Sequence, residues 1–166
     1  MMKKHVSPGP LPATFYDDSP YGREAILIDE IVEVDPHAQT FWCRMPTDGG
    51  NLPWVDHQRN PRGDHPAHVP GGVLLHVTSM LGLVYSWCVE GIRFNEGWVG
   101  YGARIYNGEV RNIAHIGPPL DLRLRVLRRR ASPTMLVLRF AFEFTQEGRL
   151  VYCSEQTGAF RKHAVE

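Results

Sequence analysis

The sequence lacks an excess of charge of either sign. Its 166 residues include 18 lysines and arginines and 18 aspartates and glutamates, so the formal net charge is zero with histidine neutral. A chain without net charge has no overall field that would attract nucleic acid or anionic lipid. We therefore expect neither nucleic acid nor a membrane among its partners.

Cysteine is also scarce. The three cysteines, Cys43, Cys88 and Cys153, are widely spaced inside apolar segments. An odd number at this spacing fits buried, reduced thiols better than a disulfide framework or a zinc site. The two N-terminal lysines are followed by prolines and aspartates where a signal peptide has its apolar stretch. We therefore expect a cytoplasmic protein.

Metal-binding motifs of established spacing are absent from the sequence. It contains neither HExxH nor paired CxxC motifs. Imidazole and carboxylate groups do gather between residues 56 and 76, and such groups can bind zinc or iron. Without a motif we favour no metal, and we predict that the protein carries no cofactor of its own.

One long apolar run is present, from Val73 to Val89. It approaches the ~18 residues of a membrane-spanning helix, but it includes a histidine, a threonine and two serines and has no flanking cluster of basic residues. The run is apolar on almost all sides, which is typical of an enclosed helix. The pattern predicts a helix from about Gly72 to Glu90 that is buried inside the protein.

The rest of the chain predicts strands and loops. Residues 1–22 are rich in proline and predict an extended arm, and residues 23–166 predict a single domain. AILIDEIVEV and TFWCRMP, joined by the turn DPHAQ, predict a hairpin. Residues 47–68, with three glycines, three prolines and three histidines, predict a long functional loop.

Four more strands follow the helix. Leu122, Leu124 and Val126 alternate with charged residues, and the same period of two runs from Leu136 to Phe144. WVGYGARIYNGEVRNIA precedes these strands and LVYCSEQTGAFRK follows them, after the tight turn QEGR. Two strands, one helix and four antiparallel strands predict an α+β fold in which the sheet curls around the helix.

These segments, in this order, resemble the hotdog-fold superfamily. AILIDEIVEVDP is similar to the first strand of the beta-hydroxyacyl-acyl-carrier-protein dehydratases, and HVPGGVLLHVTSMLG is similar to the Pro-Gly-Val-Leu entry into their central helix. YGARIYNGEVRNIAHIGPPLDLRLRVLRRR resembles their third and fourth strands. The acyl-CoA thioesterases are a sister family. The likeness covers residues 20–162 and implies an antiparallel sheet wrapped around one long central helix.

The resemblance also implies partners. The substrate would be an acyl thioester, carried on coenzyme A or on the phosphopantetheine of an acyl carrier protein. It further implies a homodimer or a dimer of dimers, in which two sheets join edge to edge and the acyl tunnel lies between protomers.

The start of the helix is the first candidate site. In the dehydratases the Pro-Gly junction lets backbone amides meet the thioester carbonyl, so Gly71, Gly72 and Val73 are predicted substrate contacts. Glycine lets a ligand approach the backbone, and the free amides and dipole of a helix start favour developing negative charge. The alternative is that the glycines only allow tight packing of the helix against the sheet.

The catalytic side chains of the dehydratases are not reproduced here. In that family a loop histidine acts with a glutamate or aspartate about one turn into the helix. Alignment on Pro70 and Gly71 places His76 at the acid's position, and alignment on Gly72 and Val73 places Val77 there. We therefore predict an exchange of roles, with His76 as the base on the helix.

The loop supplies candidate partners for His76. His68, His65 and Asp64 lie where the family's histidine loop would be, with Asp56 further upstream. Histidine exchanges protons near neutral pH, which suits a general base. The alternative is a neutral core histidine bonded to a backbone carbonyl.

Other predicted contacts lie on the helix and on the strands. Met80, together with Leu83 or Val84, shares the helix face of His76 and is predicted to contact the acyl chain. Arg123 and Arg125 begin a set of arginines, continued at residues 128–130 and at 139, that suits the phosphates of the carrier or an acidic carrier protein. The alternative is that these arginines form only the solvated face of their strands.

Three functions remain open. The first is dehydration or hydration of 3-hydroxyacyl thioesters, as in fatty acid or polyketide metabolism, which needs two proton-transfer groups. The second is thioester hydrolysis, which needs a carboxylate or amide to position water, although the helix has no acid before Glu90. The third is non-catalytic binding of acyl thioesters. The sequence favours the first.

Overall fold

The computed structural model describes residues 7–48, 50 and 52–163. A π-helical turn, Ser86–Glu90, extends the long helix, and single 3-10 turns occur at Val55–His57 and Phe94–Glu96. The helices and strands are β1 Gly9–Pro10, α1 Ala13–Asp18, α2 Arg23–Ile26, β2 Glu30–Asp35, β3 Thr40–Thr47, α3 Gly71–Tyr85, β4 Trp98–Val110, β5 Gly117–Ser132, β6 Met135–Gln146 and β7 Arg149–Lys162.

The strands form one antiparallel sheet in the order β1-β2-β3-β5-β6-β7-β4. Because side chains alternate along a strand, the apolar residues of β5 and β6 all point to one face of the sheet. These residues are all buried: Leu120, Leu122, Leu124, Val126, Leu136, Leu138, Phe140, Phe142 and Phe144. The predicted turn at residues 146–149 is confirmed, with Glu147 and Gly148 at φ 50° and 77°, as a two-residue hairpin requires.

The concave face of the sheet wraps around α3. Val77, Leu81 and Val84 have no exposed surface. Gly71–Glu90 is long and apolar enough to cross a membrane by composition, with a mean hydropathy of 1.5, but 67% of that stretch is buried inside the protein. The predicted enclosed helix and the predicted α+β hotdog arrangement are both confirmed.

The N-terminal residues differ from the predicted extended arm. Gly9–Pro10 pairs with β2, and the next residues form α1, whose Phe15 is 1% exposed. The Phe15 ring packs edge-on against Trp87, with ring centroids 5.6 Å apart. Burial of one aromatic side chain contributes about 1.5–3 kcal/mol, which draws this segment onto the domain. Residues 1–6 of the predicted arm lie outside the described residues.

The first long strand begins later than predicted. Arg23–Ile26 forms the short helix α2, and Leu27 follows with a left-handed φ of 57°. That turn separates the apolar residues of AILI from the strand, which starts at Glu30. Ile26 and Ile28 are buried, so the apolar pattern marks burial here and not extended backbone.

The cysteines are free, as predicted. Cys43 and Cys88 are buried, and Cys153 is half-buried. Burial raises the pKa of the Cys43 thiol well above its usual range and raises that of Cys88 to about 12. Both buried thiols therefore stay protonated at neutral pH.

A carboxylate ties α1 to the end of the central helix. Asp18 accepts hydrogen bonds from Trp87 Nε1 at 2.8 Å and from the backbone amides of Phe94 and Asn95 at 3.0 and 2.8 Å. One side chain thus satisfies three donors from two segments, and hydrogen bonds to a charged group are stronger than neutral ones.

We predict that Asp18→Ala lowers the free energy of unfolding by about 2–3 kcal/mol, because three donors lose a charged acceptor. The neighbouring Asp17 is exposed and makes no hydrogen bond among the described residues, so Asp17→Ala is a matched control expected to stay within about 0.5 kcal/mol. Urea denaturation of the three proteins measures the difference. Equal midpoints for both variants would contradict this role.

Candidate functional site

The start of α3 presents two free backbone amides. Val73 and Leu74 donate to the carbonyl oxygen of Pro70 at 2.9 and 3.3 Å, and no side chain caps the helix. The amides of Gly71 and Gly72 have no acceptor among the described residues, and both residues are exposed. Such unpaired amides at a helix start form a site for an oxyanion.

An exposed tryptophan forms one wall beside these amides. Trp54 is 60% exposed, and its ring carbon Cζ3 lies 3.5 Å from the position that a Cβ would take at Gly72. A side chain larger than alanine at residue 72 would meet this ring. Trp54 is therefore neither buried in the core nor distant from the helix start.

Hydrogen bonds fix the residues that lead into α3. The side chain of Gln58 donates to the carbonyl of His68 at 2.6 Å and accepts from its amide at 3.1 Å. The Val69 amide donates to the carbonyl of Ala114 at 2.9 Å. The buried Gln146 in turn binds both backbone groups of His115, at 2.8 and 2.9 Å. The helix start is thus anchored to the sheet through the segment before β5.

One stripe of α3 remains exposed and leads away from the amides. Gly72, Leu75 and Ser79 are exposed, and their spacing of three and four residues places them on one face of the helix. The rise from Gly72 to Ser79 is about 10 Å along the helix axis. At that distance Ser79 lines a cavity of about 110 Å³ between α3 and strands β4, β6 and β7.

Glycine and phenylalanine shape the cavity. A Cβ at Gly102 would meet nothing within 4 Å, whereas one at Gly100 would lie 2.8 Å from the ring of Phe160. The glycines of β4 thus keep space open beside an aromatic wall. The lining residues are Tyr21, Thr78, Ser79, Gly82, Leu83, Gly100, Tyr101, Gly102, Phe140, Phe142, Gln156, Thr157, Gly158 and Phe160.

A polar cluster lies at the side of the cavity. Gln156 Nε2 donates to Thr78 Oγ1 and to Ser154 Oγ, each at 3.0 Å. Thr78 Oγ1 donates to the Leu75 carbonyl at 2.7 Å. Thr78 is 1% exposed and Ser154 is 5% exposed, so this cluster is held firmly against the sheet.

His76 is bonded to the neighbouring helix α2. Its Nε2 lies 2.6 Å from the carbonyl oxygen of Ala25 in α2, so that nitrogen carries the proton and donates it. The ring also meets Tyr21 edge-on, with ring centroids 6.5 Å apart. His76 is half-buried and does not line the cavity. This placement matches the structural alternative, a histidine bonded to a backbone carbonyl.

The loop candidates lie together but apart from His76. The rings of His65 and His68 are 4.8 Å apart, and His68 Nδ1 lies 3.2 Å from the Pro66 carbonyl. Asp64 is exposed. Across the part of the chain that the structure describes, no hydrogen bond joins His76 to any of these three. Within one chain the predicted exchanged pair is not assembled.

The other predicted contacts are divided between core and surface. Val73 and Met80 are buried in the core at 1% and 2% exposure, whereas Leu83 lines the cavity. Arg123 lies over the ring of Trp42 at 4.7 Å, and with Arg125 it borders a groove of about 280 Å³. Both arginines alternate with the buried leucines of β5, so they occupy the outer face of the sheet, opposite α3.

A second groove, of about 600 Å³, lies at the other end of the helix. There Arg129 Nε donates to both carboxylate oxygens of Glu90, at 2.9 and 3.2 Å, and the Tyr85 hydroxyl lies 3.4 Å from the same carboxylate. Burial, with the charge of Glu90, raises the pKa of Tyr85 well above its usual range. The hydrogen-bonding groups of Arg129, Glu90 and Tyr85 are therefore paired with one another.

Within residues 7–48, 50 and 52–163, no group of three or more His, Cys, Asp or Glu residues could hold a metal ion.

Three residues of the site were not predicted from the sequence. Ser79 lies on the exposed stripe of α3, one turn beyond Leu75, Gln156 belongs to β7, and Trp54 lies in the long loop. Thr78 and Ser79 were visible as polar residues inside an apolar helix. Nothing in the sequence linked Gln156 to them.

Comparison with solved structures supports the fold. A thioesterase from Haemophilus influenzae superposes with a TM-score of 0.60 at 19% identity, over 98% of this chain and 96% of that one. A mutant thioesterase from Pseudomonas aeruginosa gives 0.61 at 13% identity, over 98% and 100%. A dehydratase heterocomplex from Xenorhabdus doucetiae gives 0.60 at 15% identity, over 94% and 92%. No family model and no curated protein matches the sequence. At these identities the likeness shows the hotdog fold alone.

We predict that His76→Ala lowers the free energy of unfolding by about 1–2 kcal/mol, because the hydrogen bond that holds α2 to α3 is lost. Thermal or urea denaturation measures the change. Unchanged stability combined with a large loss of turnover would instead support the catalytic role predicted from the sequence.

Proposed function

We propose that the protein binds acyl thioesters and hydrolyses them. The thioester carbonyl oxygen accepts hydrogen bonds from the amides of Gly71 and Gly72, and the acyl group runs past Leu75 and Ser79 into the cavity. The observation that carries this proposal is the continuous exposed stripe between two unpaired amides and an aromatic-walled cavity. Two further points support the proposal. The entry into α3 resembles that of the dehydratases, and the solved structures of the same fold include thioesterases and a dehydratase.

The oxyanion contact suits hydrolysis. Water attacks the carbonyl carbon, negative charge develops on the carbonyl oxygen, and the carbon–sulfur bond then breaks to release the thiol. Removal of one oxyanion donor typically costs about 100- to 1000-fold in rate. Amides fixed at a helix start need no rearrangement to meet that charge.

His68 is our candidate for the base that activates water. If its Nδ1–H donates to the Pro66 carbonyl, Nε2 is left as a proton acceptor. The residue lies two positions before Pro70, and its backbone is held by Gln58 on both sides. The described residues that line the cavity include no histidine, aspartate or glutamate, which favours chemistry at the carbonyl over proton transfer further along the acyl chain.

Dehydration or hydration of a 3-hydroxyacyl thioester is the second candidate. It requires two proton-transfer groups, and the adjacent rings of His65 and His68 supply such a pair. Release of free thiol and formation of an enoyl double bond are separate readouts. Hydration of crotonyl-coenzyme A without thiol release would select this function, and binding without either product would select the non-catalytic role.

We also propose that two copies of the chain join along β4 as a homodimer, with the thioester carried on coenzyme A or phosphopantetheine. β4 pairs with β7 on one side, and its other edge is open in the described chain. Tyr101, Ile105 and Val110 are 53–59% exposed on this strand. An open, apolar edge strand favours pairing with another strand. β4 also borders the cavity, so the partner would cover it.

We predict that Gly71→Pro lowers kcat/KM for acyl-coenzyme A hydrolysis by about 100-fold, because proline removes one oxyanion donor. Proline fits the first position of a helix, and the extended backbone of Pro70, with ψ 144°, is the conformation that a following proline requires. Thiol release measured over a series of acyl-coenzyme A thioesters tests this.

Gly71→Ala is the matched control for that variant. It retains the amide, and its Cβ meets nothing within 4 Å, so it should lose much less activity than Gly71→Pro. Equal activities of the two variants would exclude the Gly71 amide as an oxyanion donor.

We predict that Ile105→Lys shifts the protein from dimer to monomer, because it places a charge on the apolar edge of β4. Leu127→Lys is the control, since Leu127 is an exposed apolar residue on β5. Sedimentation velocity measures the mass of each protein. A dimer that survives Ile105→Lys but not Leu127→Lys would place the interface elsewhere.

A further inference from the structure

One part of the cavity wall comes from outside the central helix and the sheet strands around it. Tyr21 lies in residues 19–22, between α1 and α2, and it lines the cavity. Every other lining residue among those described belongs to α3, β4, β6 or β7. Tyr21 is 46% exposed, so it lies where the cavity meets solvent. We call residues 19–22 the strap.

Hydrogen bonds on both sides hold the strap in place. Before it, Asp18 accepts three hydrogen bonds from the end of the central helix and the turn that follows. After it, the Ala25 carbonyl accepts from His76 Nε2 at 2.6 Å. Within it, the Tyr21 amide donates to Ser19 Oγ at 3.1 Å. The fold itself therefore fixes the position of Tyr21 beside the cavity.

The level of Tyr21 along α3 determines which part of a ligand meets it. Its ring packs edge-on against His76, which lies four residues beyond Gly72, about 6 Å along the helix axis. Ser79, which lines the same cavity, lies about 10 Å beyond Gly72. An acyl group whose carbonyl oxygen binds the helix start would therefore meet Tyr21 with its distal carbon atoms.

The cavity beside Tyr21 is small. Its volume is about 110 Å³, which is less than the roughly 150 Å³ of an engineered cavity that binds benzene. Three phenylalanines form part of its wall, and side chains with hydroxyl or amide groups form other parts. Methylene groups in excess of the available space weaken packing. The cavity therefore suits a distal acyl segment of about six carbon atoms or fewer.

We propose that Tyr21 sets the length limit of the acyl group. Its ring closes the distal end of the cavity, so that the protein selects short acyl thioesters. The inference rests on the proposed function, because it assumes that the acyl group enters the cavity from the helix start. It adds a substrate class and assigns the selection of that class to the strap.

The test compares two stable ligands that differ only in length. These are the ketone analogues of hexanoyl- and decanoyl-coenzyme A, in which a methylene replaces the thioester sulfur. Calorimetric titration of the wild-type protein gives both dissociation constants, whatever reaction the protein catalyses. We expect the decanoyl analogue to bind about tenfold more weakly, because the Tyr21 ring leaves no room for the end of its chain.

Two variants assign that preference to the ring of Tyr21. Tyr21→Ala removes the ring, so the longer chain can pass through the gap, and the two dissociation constants should agree within about twofold. Tyr21→Phe is the matched control, because it keeps the ring and removes only the hydroxyl, and it should keep the wild-type preference. A preference that survives Tyr21→Ala, or that Tyr21→Phe abolishes, overturns the inference.

A measurement on the wild-type protein decides the inference even if Tyr21→Ala fails to fold. The hexanoyl analogue is labelled with ¹³C at its terminal methyl, and we expect nuclear Overhauser contacts between that methyl and the ring protons of Tyr21. Contacts to other cavity residues alone, or equal wild-type affinities for the two analogues, overturn the inference and leave the proposed function standing. Absence of binding by either analogue overturns both.

Discussion

The structure depends on burial of one apolar helix by one sheet. α3 has Val77, Leu81 and Val84 completely buried, and the sheet meets it with the alternating leucines and phenylalanines of β5 and β6. Each such side chain contributes about 1.5–3 kcal/mol when removed from water. The sheet must curl to enclose the helix, and the long antiparallel strands joined by tight turns permit this.

The candidate site lies where that burial is incomplete. The start of α3 and the stripe through Leu75 to Ser79 are exposed, and glycines on β4 leave a space in which larger residues would have packed. Unpaired amides, an aromatic wall and a polar cluster then lie along one path. Gln58 before the helix and Gln146 beside the segment before β5 fix this path through hydrogen bonds to backbone groups.

The sequence predicts the fold well because burial leaves a periodic record. Alternation identified β5 and β6, and an unbroken apolar run identified α3. The site was less predictable, since its contacts join distant segments. His76 has the spacing of a catalytic residue, but the path of residues 19–26 brings the Ala25 carbonyl to it. Arg123 and Arg125 alternate with buried leucines, so the period of two that predicts the strand also places these arginines on the outer face of the sheet. Gln156 on β7 meets Thr78 on α3, 78 residues away in the chain, and no pattern of residues records that contact.

The central claim is that an acyl thioester meets the amides of Gly71 and Gly72 and extends along α3. Titration of the ¹⁵N-labelled protein with a ketone analogue of a short acyl-coenzyme A, followed through amide chemical shifts, tests it most directly. The account predicts that the signals of Gly71, Gly72 and Ser79 and the side-chain amide of Gln156 move together with one dissociation constant. Shifts confined to the groove around Glu90 and Arg129, at the opposite end of the helix, would contradict it.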